Sequence, residues 1–182
     1  MSLGDEDAKR QAALRAMAHP VRLQILSLLT GSSMTAAEVA RELGLTHANA
    51  SYHLRNLLHG GLIVPDGEER IRGGVAKRYR YQGERDRGTD KPRPLDAAGA
   101  EAQRALLIAF ANELIRRTSE ADLTVGSTVT DAELWVTPEA YQDVRDKITE
   151  ASRALHAAAQ APRTPGAIRT STTIAMFRME DK

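Results

Sequence analysis

The sequence has no cysteine. This absence excludes disulfides, thiolate metal sites, iron–sulfur clusters and cysteine nucleophiles from these 182 residues. The sequence also has no apolar run of about 18 residues, so we expect no transmembrane helix. Its first residues lack the apolar segment of a secretory signal peptide. Together these absences predict a cytoplasmic protein that does not bind a membrane.

Motifs that signal catalysis or metal binding are missing as well. The five histidines show no His-x-x-x-His or His-Glu-x-x-His spacing. There is no Gly-x-Ser-x-Gly motif and no dinucleotide-binding fingerprint. The pair Gly73-Gly74 precedes neither a helix nor a Lys-Ser/Thr pair, which a nucleotide-binding loop would require. We therefore expect no catalytic residue, no metal site and no cofactor.

Residues 8–83 are predicted to form a winged helix-turn-helix domain. Glycines, a proline and capping residues divide this segment into four helices and a hairpin. The third helix begins with a Thr-x-x-Glu capping box at Thr35, and a tight Gly44-Leu45 turn leads to a fourth helix capped by Thr46. Two short strands around a glycine tip follow at once. A hairpin in that place is the wing of a winged helix.

The fourth helix, residues 46–59, carries the predicted DNA-reading surface. Apolar residues at helical spacing define its buried side, formed by Ala50, Leu54, Leu57 and Leu58. Its opposite side and first turn are polar and can reach base edges in a major groove. The predicted base-reading residues are His47, Asn49, Tyr52 and Arg55. Ser51 is predicted to donate to a phosphate, and for His53 a DNA contact and packing on the helix flank both stay open.

The hairpin 62–82 is predicted to hold the phosphate backbone. Net charge is close to zero, with 25 basic and 24 acidic side chains, but segment 70–81 holds five basic residues and no acidic one. A local basic stripe indicates an anionic partner, and its place on a wing favours phosphate contact over a merely solvated strand face. The predicted phosphate-binding residues are Arg70, Arg72, Lys77 and Arg78.

The remaining sequence is predicted to be a linker followed by a dimerisation and effector region, residues 96–182. Residues 84–95 are charged and contain glycine and proline, which is typical of a linker. The long helix that follows has an apolar set too wide for a single contact face. Alternating segments at 131–137 and 168–179 flank another capped helix, which predicts a small β-α-β unit. The expected fold class is therefore mainly α with a small β component (α+β).

Residues 16–82 contain the segments "AMAHPVRLQILSLL", "TAAEVARELGLTHANASYHLRNLLHGGLI" and "ERIRGGVAKRYRYQ". On these segments, residues 16–82 resemble the winged-helix domain of ArsR-type bacterial transcriptional regulators. Within them, the family's helix-turn-helix signature corresponds to Ser51, His53, Leu54, Leu57 and Gly61-Leu62. The segment "DAELWVTPEAYQDVRDKITEAS" is similar to the extension of a metal-free actinobacterial branch of that family.

The resemblance implies a homodimer, in which segments 8–18 and 96–118 pair across a two-fold axis. The dimerisation residues expected on this basis are Leu14, Leu106, Leu107, Phe110 and Leu114. Many members of the family sense metals, with cysteines on the third helix or with histidine and carboxylates on the dimer helix. The third helix here has neither cysteine nor histidine, and segment 96–118 has no histidine. Metal sensing is therefore not expected.

These patterns predict a sequence-specific transcriptional regulator, with repression as the expected mode. It would bind double-stranded DNA at a pseudo-palindromic operator as a homodimer. The alternative is a winged-helix module that contacts proteins and reads no bases, since a fold does not determine a function. Trp135, Tyr141 and Phe177 could line a pocket for an unidentified small-molecule effector or could simply pack the tail or the dimer.

Overall fold

A computed structural model of the chain describes residues 3–71, 74–82 and 94–180. The described residues form six helices and one small three-stranded antiparallel sheet, which confirms the predicted α+β winged-helix class. In chain order the elements are α1 Leu3–Met17, α2 Pro20–Gly31, β1 Met34–Thr35, α3 Ala36–Leu43, α4 His47–His59, β2 Ile63–Ile71, β3 Gly74–Tyr81, α5 Ala97–Thr118 and α6 Pro138–Ala157.

Capping residues determine where α3 and α4 begin. The Thr35 hydroxyl accepts from the Glu38 backbone N–H at 3.2 Å, and the Glu38 carboxylate accepts from the Thr35 N–H at 2.7 Å. This is the predicted capping box, and it satisfies two backbone donors at the start of α3. Gly44 ends α3 in the left-handed region at φ 65°, where glycine carries no Cβ penalty. Thr46 then caps α4 by accepting from the Asn49 N–H at 3.2 Å.

The sheet has the strand order β1-β3-β2. The two wing strands β2 and β3 are longer than the sequence predicted. They pair from Ile63 opposite Tyr81 to Ile71 opposite Gly74, with a break in register between Pro65 and Glu68. The two-residue β1 was not predicted, because so short a segment has no periodicity. It pairs with β3 through Met34 opposite Tyr79 and Thr35 opposite Arg78. The wing is therefore attached to the start of α3 through β1.

One apolar cluster joins α2, α3, α4 and the base of the wing. The helical spacing of these residues along each element directs them to a shared interior. Its fully buried members include Ile25, Leu29, Val39, Leu54, Leu57, Leu62 and Ile63. The predicted buried side of α4 is confirmed, since Ala50, Leu54 and Leu57 are buried and Leu58 packs half-buried against the cluster. The opposite side of α4 is consequently held out toward solvent.

A second apolar cluster fixes α5 against α1 and α2 within one chain. Its buried residues are Leu14, Leu23, Ala102, Leu106 and Ala109. The helix predicted to open the 96–182 region thus packs on the 8–83 region. Residues 84–93 of the predicted linker lie outside the described residues.

The tail after α5 differs from the prediction in one respect. The predicted helix forms as α6, but the strands expected at 131–137 and 168–179 do not, so the β-α-β unit is absent from the described residues 119–180. A strand needs a neighbour to accept and donate its backbone hydrogen bonds, and alternation in a sequence cannot supply that neighbour. No residue from 119 to 180 is buried.

Candidate nucleic-acid interface

The exposed side of α4 presents the predicted reading residues together. His47, Asn49, Tyr52 and Arg55 are all exposed, Tyr52 with 53% of its surface, and Ser51 is half-buried. Because the other side of α4 is in the core, these side chains stand on a rigid support. Imidazole, amide, phenol and guanidinium groups supply the donors and acceptors that recognise base edges in a major groove.

Ala48 is an exposed residue of this surface that the sequence analysis missed. It lies in the first turn of α4, between His47 and Asn49, and it is exposed like them. Ala48 carries no polar group and was therefore not predicted as a site residue, although a methyl group on a helix in the major groove can contact the methyl of thymine. The helical wheel places Ala48 beside Tyr52 and Arg55, and that position was the available signal.

His53 is not part of the exposed surface. The structure therefore agrees with the prediction that His53 packs on the helix flank and corrects the prediction that it contacts DNA. Only 7% of its surface is exposed. Its ring lies 4.8 Å from that of His19, centroid to centroid, and 5.3 Å from the ring of Tyr52. Its Nδ1 has no hydrogen-bond partner in the described part of the chain. The buried His53 ring therefore packs edge-on against the ring of Tyr52.

Both histidines are held in an environment that disfavours protonation. Burial, and then the nearby charge of Arg22, lower the pKa of His19. Burial also lowers the pKa of His53, with further contributions from His19 and Arg22. Arg22 donates to the carbonyls of Ala16 at 2.5 Å and Arg15 at 2.9 Å, so its charge faces the C-terminal end of α1. The lowered pKa of both rings favours their neutral form at the contact between His19 and α4.

Two of the predicted wing cations are presented to solvent. Arg70 and Lys77 are exposed on neighbouring strands, and neither forms an ion pair with a residue that the structure describes. Arg72, the third, lies outside the described residues. Arg80, which was not predicted as a site residue, lies 3.5 Å from the Asp66 carboxylate.

Arg78, the fourth predicted wing cation, is half-buried and forms contacts within the chain. It pairs with Glu69 at 2.7 Å and with Glu38 at 3.3 Å, and it also donates to Ser33. Its charge is therefore already balanced by two carboxylates. Sequence alone could not reveal this arrangement, because the partners lie 9, 40 and 45 residues away along the chain.

Comparison with known proteins also identifies the segment that contains α2, α3 and α4 as a helix-turn-helix. Residues 17–65 match a family model described as a helix-turn-helix domain. The chain contains a helix-turn-helix domain. Over 53 residues it is 47% identical to the HTH-type transcriptional regulator YgaV of Escherichia coli (strain K12), an alignment covering 29% of this chain and 54% of that protein. The chain thus spans about half the length of the curated relative it matches.

Beyond the helix-turn-helix domain, α5 carries an uncovered apolar surface. Of the predicted dimerisation residues, Leu14 and Leu106 are buried within the chain, Leu107 and Phe110 are half-buried, and Leu114 is 47% exposed. Ile108 and Ile115 on the same helix are 63% and 70% exposed. One side of α5 thus packs on the helix-turn-helix domain, while the other leaves Ile108, Leu114 and Ile115 exposed.

The aromatic residues of the tail do not form a pocket or a core. Trp135 is 92% exposed and Phe177 is 58% exposed, while Tyr141 on α6 is half-buried. Within the described ranges, no group of three histidine, aspartate or glutamate side chains is arranged to hold a metal ion. No helix in those ranges is both long and apolar enough to cross a membrane.

Proposed function

We propose that this chain is a DNA-binding transcriptional regulator of the ArsR type, which reads a base sequence with α4. The observation that carries this proposal is the exposed polar surface of α4, held on a buried core inside a helix-turn-helix domain. The relative YgaV is named as a transcriptional regulator, which supports the proposal. Such a domain places its second helix in the major groove, where its first turn meets the bases.

The side chains on α4 suit separate reading roles. Arg55 would donate both arms of its guanidinium to a guanine, and Asn49 would pair with an adenine. His47 and Tyr52 would read neighbouring base edges, and Ala48 would contact a thymine methyl. Ser51, at the flank, would donate to a phosphate. These contacts define a short half-site for each α4.

The wing would bind the phosphate backbone beside that half-site. Arg70 and Lys77 supply exposed positive charge on neighbouring strands. Each contact with a phosphate releases condensed counterions, so binding should weaken steeply as the salt concentration rises. Such contacts determine register on the duplex and carry no sequence information.

The uncovered side of α5 supports a homodimer. Ile108, Leu114 and Ile115 are apolar and exposed on a 22-residue helix, and a second copy would bury them. A two-fold dimer would place two α4 helices roughly 34 Å apart, one turn of DNA, which suits a pseudo-palindromic operator. A dimer bound there would repress by excluding polymerase. We assign the 96–182 region to dimerisation and to response to an unidentified effector, if one binds.

The proposal is tested by the binding of purified protein to DNA from upstream of its own gene, with random DNA as the control. Titrations at several salt concentrations give both affinity and salt slope. We expect selective binding, a steep slope and a protected site with two-fold symmetry in footprinting. Equal, weak binding to both DNAs would contradict the proposal and favour a protein-binding winged helix.

A further inference from the structure

Arg78 lies where the wing bends. β2 and β3 pair in register on both sides of it, with Pro65 opposite Tyr79 and Glu68 opposite Lys77. Two residues of β2 therefore stand opposite Arg78 alone. A bulge of this kind interrupts the ladder and bends the strand. The part of the wing beyond the bend, residues 68–71 and 74–77, is called the distal wing below.

The Arg78 guanidinium joins three elements across this bend. Its Nη1 donates to Glu69 of the distal wing at 2.7 Å and lies 3.3 Å from the Glu38 carboxylate of α3. Its Nε donates to the Ser33 hydroxyl at 3.3 Å, and its Nη2 donates to the Ser33 carbonyl. Ser33 directly precedes β1, and Glu38 belongs to the capping box. One side chain thus ties the distal wing to the first turn of α3.

The geometry of these contacts needs arginine. A planar guanidinium presents donors in a fixed fork and can satisfy several acceptors at once, whereas a lysine ammonium is a compact point charge. The main chain of Arg78 takes part as well, because Arg78 pairs with Thr35 in the β1–β3 ladder. The side chain therefore reinforces a joint that two residues of β1 alone would hold weakly.

The two exposed cations, Arg70 and Lys77, lie on the distal wing. Their positions relative to α4 depend on the angle of the bend, because the ladder that would otherwise hold that angle is interrupted. We propose that Arg78 is a positioning residue that fixes this angle and so places Arg70 and Lys77 on the DNA backbone. The consequence for DNA rests on the proposed function, but the bracing of the wing does not.

The DNA test uses Arg78→Lys, which keeps the charge but loses the fork, with Lys77→Gln as the matched variant on the same strand. We expect Arg78→Lys to weaken operator binding about tenfold, since hydrogen bonds to charged groups are lost. Lys77→Gln should lower the salt slope by about one through the loss of one phosphate contact. If Arg78→Lys binds like the wild type and Arg78→Gln merely lowers the slope by about one, Arg78 is a phosphate contact and the proposal is wrong.

A second test needs no DNA. Hydrogen–deuterium exchange of the full chain reports opening of the ladder in peptides that cover the distal wing. We expect faster exchange there in Arg78→Lys and in Glu69→Gln. Glu68→Gln, which removes the same charge from the neighbouring position of β2, should leave the exchange rate unchanged.

The two tests separate the proposals from each other. If the wild type binds no DNA selectively but Arg78→Lys still loosens the distal wing, the proposed function fails and the bracing role stands. Unchanged exchange in both Arg78→Lys and Glu69→Gln would overturn the bracing role, whatever the protein binds. Equal acceleration by Glu68→Gln and Glu69→Gln would also overturn it, because the effect would then come from charge alone.

Discussion

The chain has two regions whose sequences look equally structured but whose packing differs. Residues 3–118 contain every buried residue that the structure describes, and residues 119–180 contain none. Yet α6 has a clear capping threonine, a proline in its first turn and apolar residues at helical spacing. An amphipathic pattern thus indicates that a helix needs another apolar surface to pack against. Only burial of its residues shows that such a surface is present.

In the packed region, α4 and α5 each bury one side in a core, and this burial holds the opposite, exposed side in place. α4 presents polar groups on one side since Leu54 and Leu57 anchor the other. In the same way, α5 is held by Leu106 and Ala109 while its other side stays apolar and open. The proposed regulator needs this combination, since a surface that reads bases must be rigid and a surface that forms a dimer must be uncovered in the single chain.

The largest difference between the regions is expected from the same substitution made in each. Leu57→Ala should lower the free energy of unfolding by about 2–5 kcal/mol, because it opens a cavity in the core. Leu155→Ala on α6 should change it by less than about 0.5 kcal/mol, since Leu155 is 42% exposed. Urea denaturation at low protein concentration measures both. A similar loss of unfolding free energy in the two variants would contradict the difference in packing between the two regions.

The second-largest difference in unfolding free energy is expected between a buried and an exposed carboxylate. Glu113 is 2% exposed, accepts from Gln24 at 2.8 Å and pairs with Arg116 at 3.0 Å. Glu113→Gln should cost about 1–3 kcal/mol of unfolding free energy, because the half-buried Gln24 and Arg116 side chains lose a charged, buried acceptor. Glu150→Gln, on exposed α6, is the matched control and should have almost no effect. Equal denaturation midpoints for these two variants would show that Glu113 does not hold α5 to α2.

Acid should also weaken the packed region. The pKa of His19 and of His53 is lowered in the folded chain, so the unfolded chain binds protons more readily as pH falls below about 6.5. The stability that the neutral rings contribute is present above that pH and decreases below it. Urea midpoints at pH 7.5 and 5.5 test this expectation. His19 caps α2, since its Nδ1 accepts from the Val21 N–H at 3.2 Å. His19→Asn keeps a side chain that can cap the helix and should reduce the pH dependence. A wild type equally stable at both pH values would contradict the expectation.

The smallest effect is expected where the tail touches the packed region. Arg163 pairs with Glu42 of α3 at 2.9 Å, but Arg163 is 77% exposed, and such pairs contribute little. Arg163→Gln should therefore leave the urea midpoint of the full chain unchanged within error. A clear decrease would mean that the tail is bound more firmly to α3 than its exposure indicates.

How far the sequence could predict the fold and the site depended on how local each signal was. The Thr35–Glu38 capping box, the Gly44 turn and the buried side of α4 were all predicted, because each is specified within one or two helical turns. The strand β1 was not, since it exists only by pairing with β3. The tail strands were predicted wrongly, because alternation describes one strand and not its neighbour.

The same distinction between local signals and distant contacts explains which site residues could be predicted from the sequence. Exposure of His47, Asn49, Tyr52 and Arg55 follows from the helical period, so these could be named in advance. The positions of His53 and Arg78 depend on contacts between elements that are distant in the chain, such as the ring of His19 or the carboxylate of Glu38. Basic residues in a stripe indicate a charge, and only the fold decides which of them remain available to a ligand.

The most direct test of the central claim is the specificity ratio of the purified protein. A site selected from a random DNA pool and a shuffled version of that site are titrated side by side at one physiological salt concentration. We expect a ratio of about 10³ or more, which falls by about tenfold or more in Arg55→Ala as one base contact is lost. A ratio near one for the wild type would contradict the claim that α4 reads a base sequence.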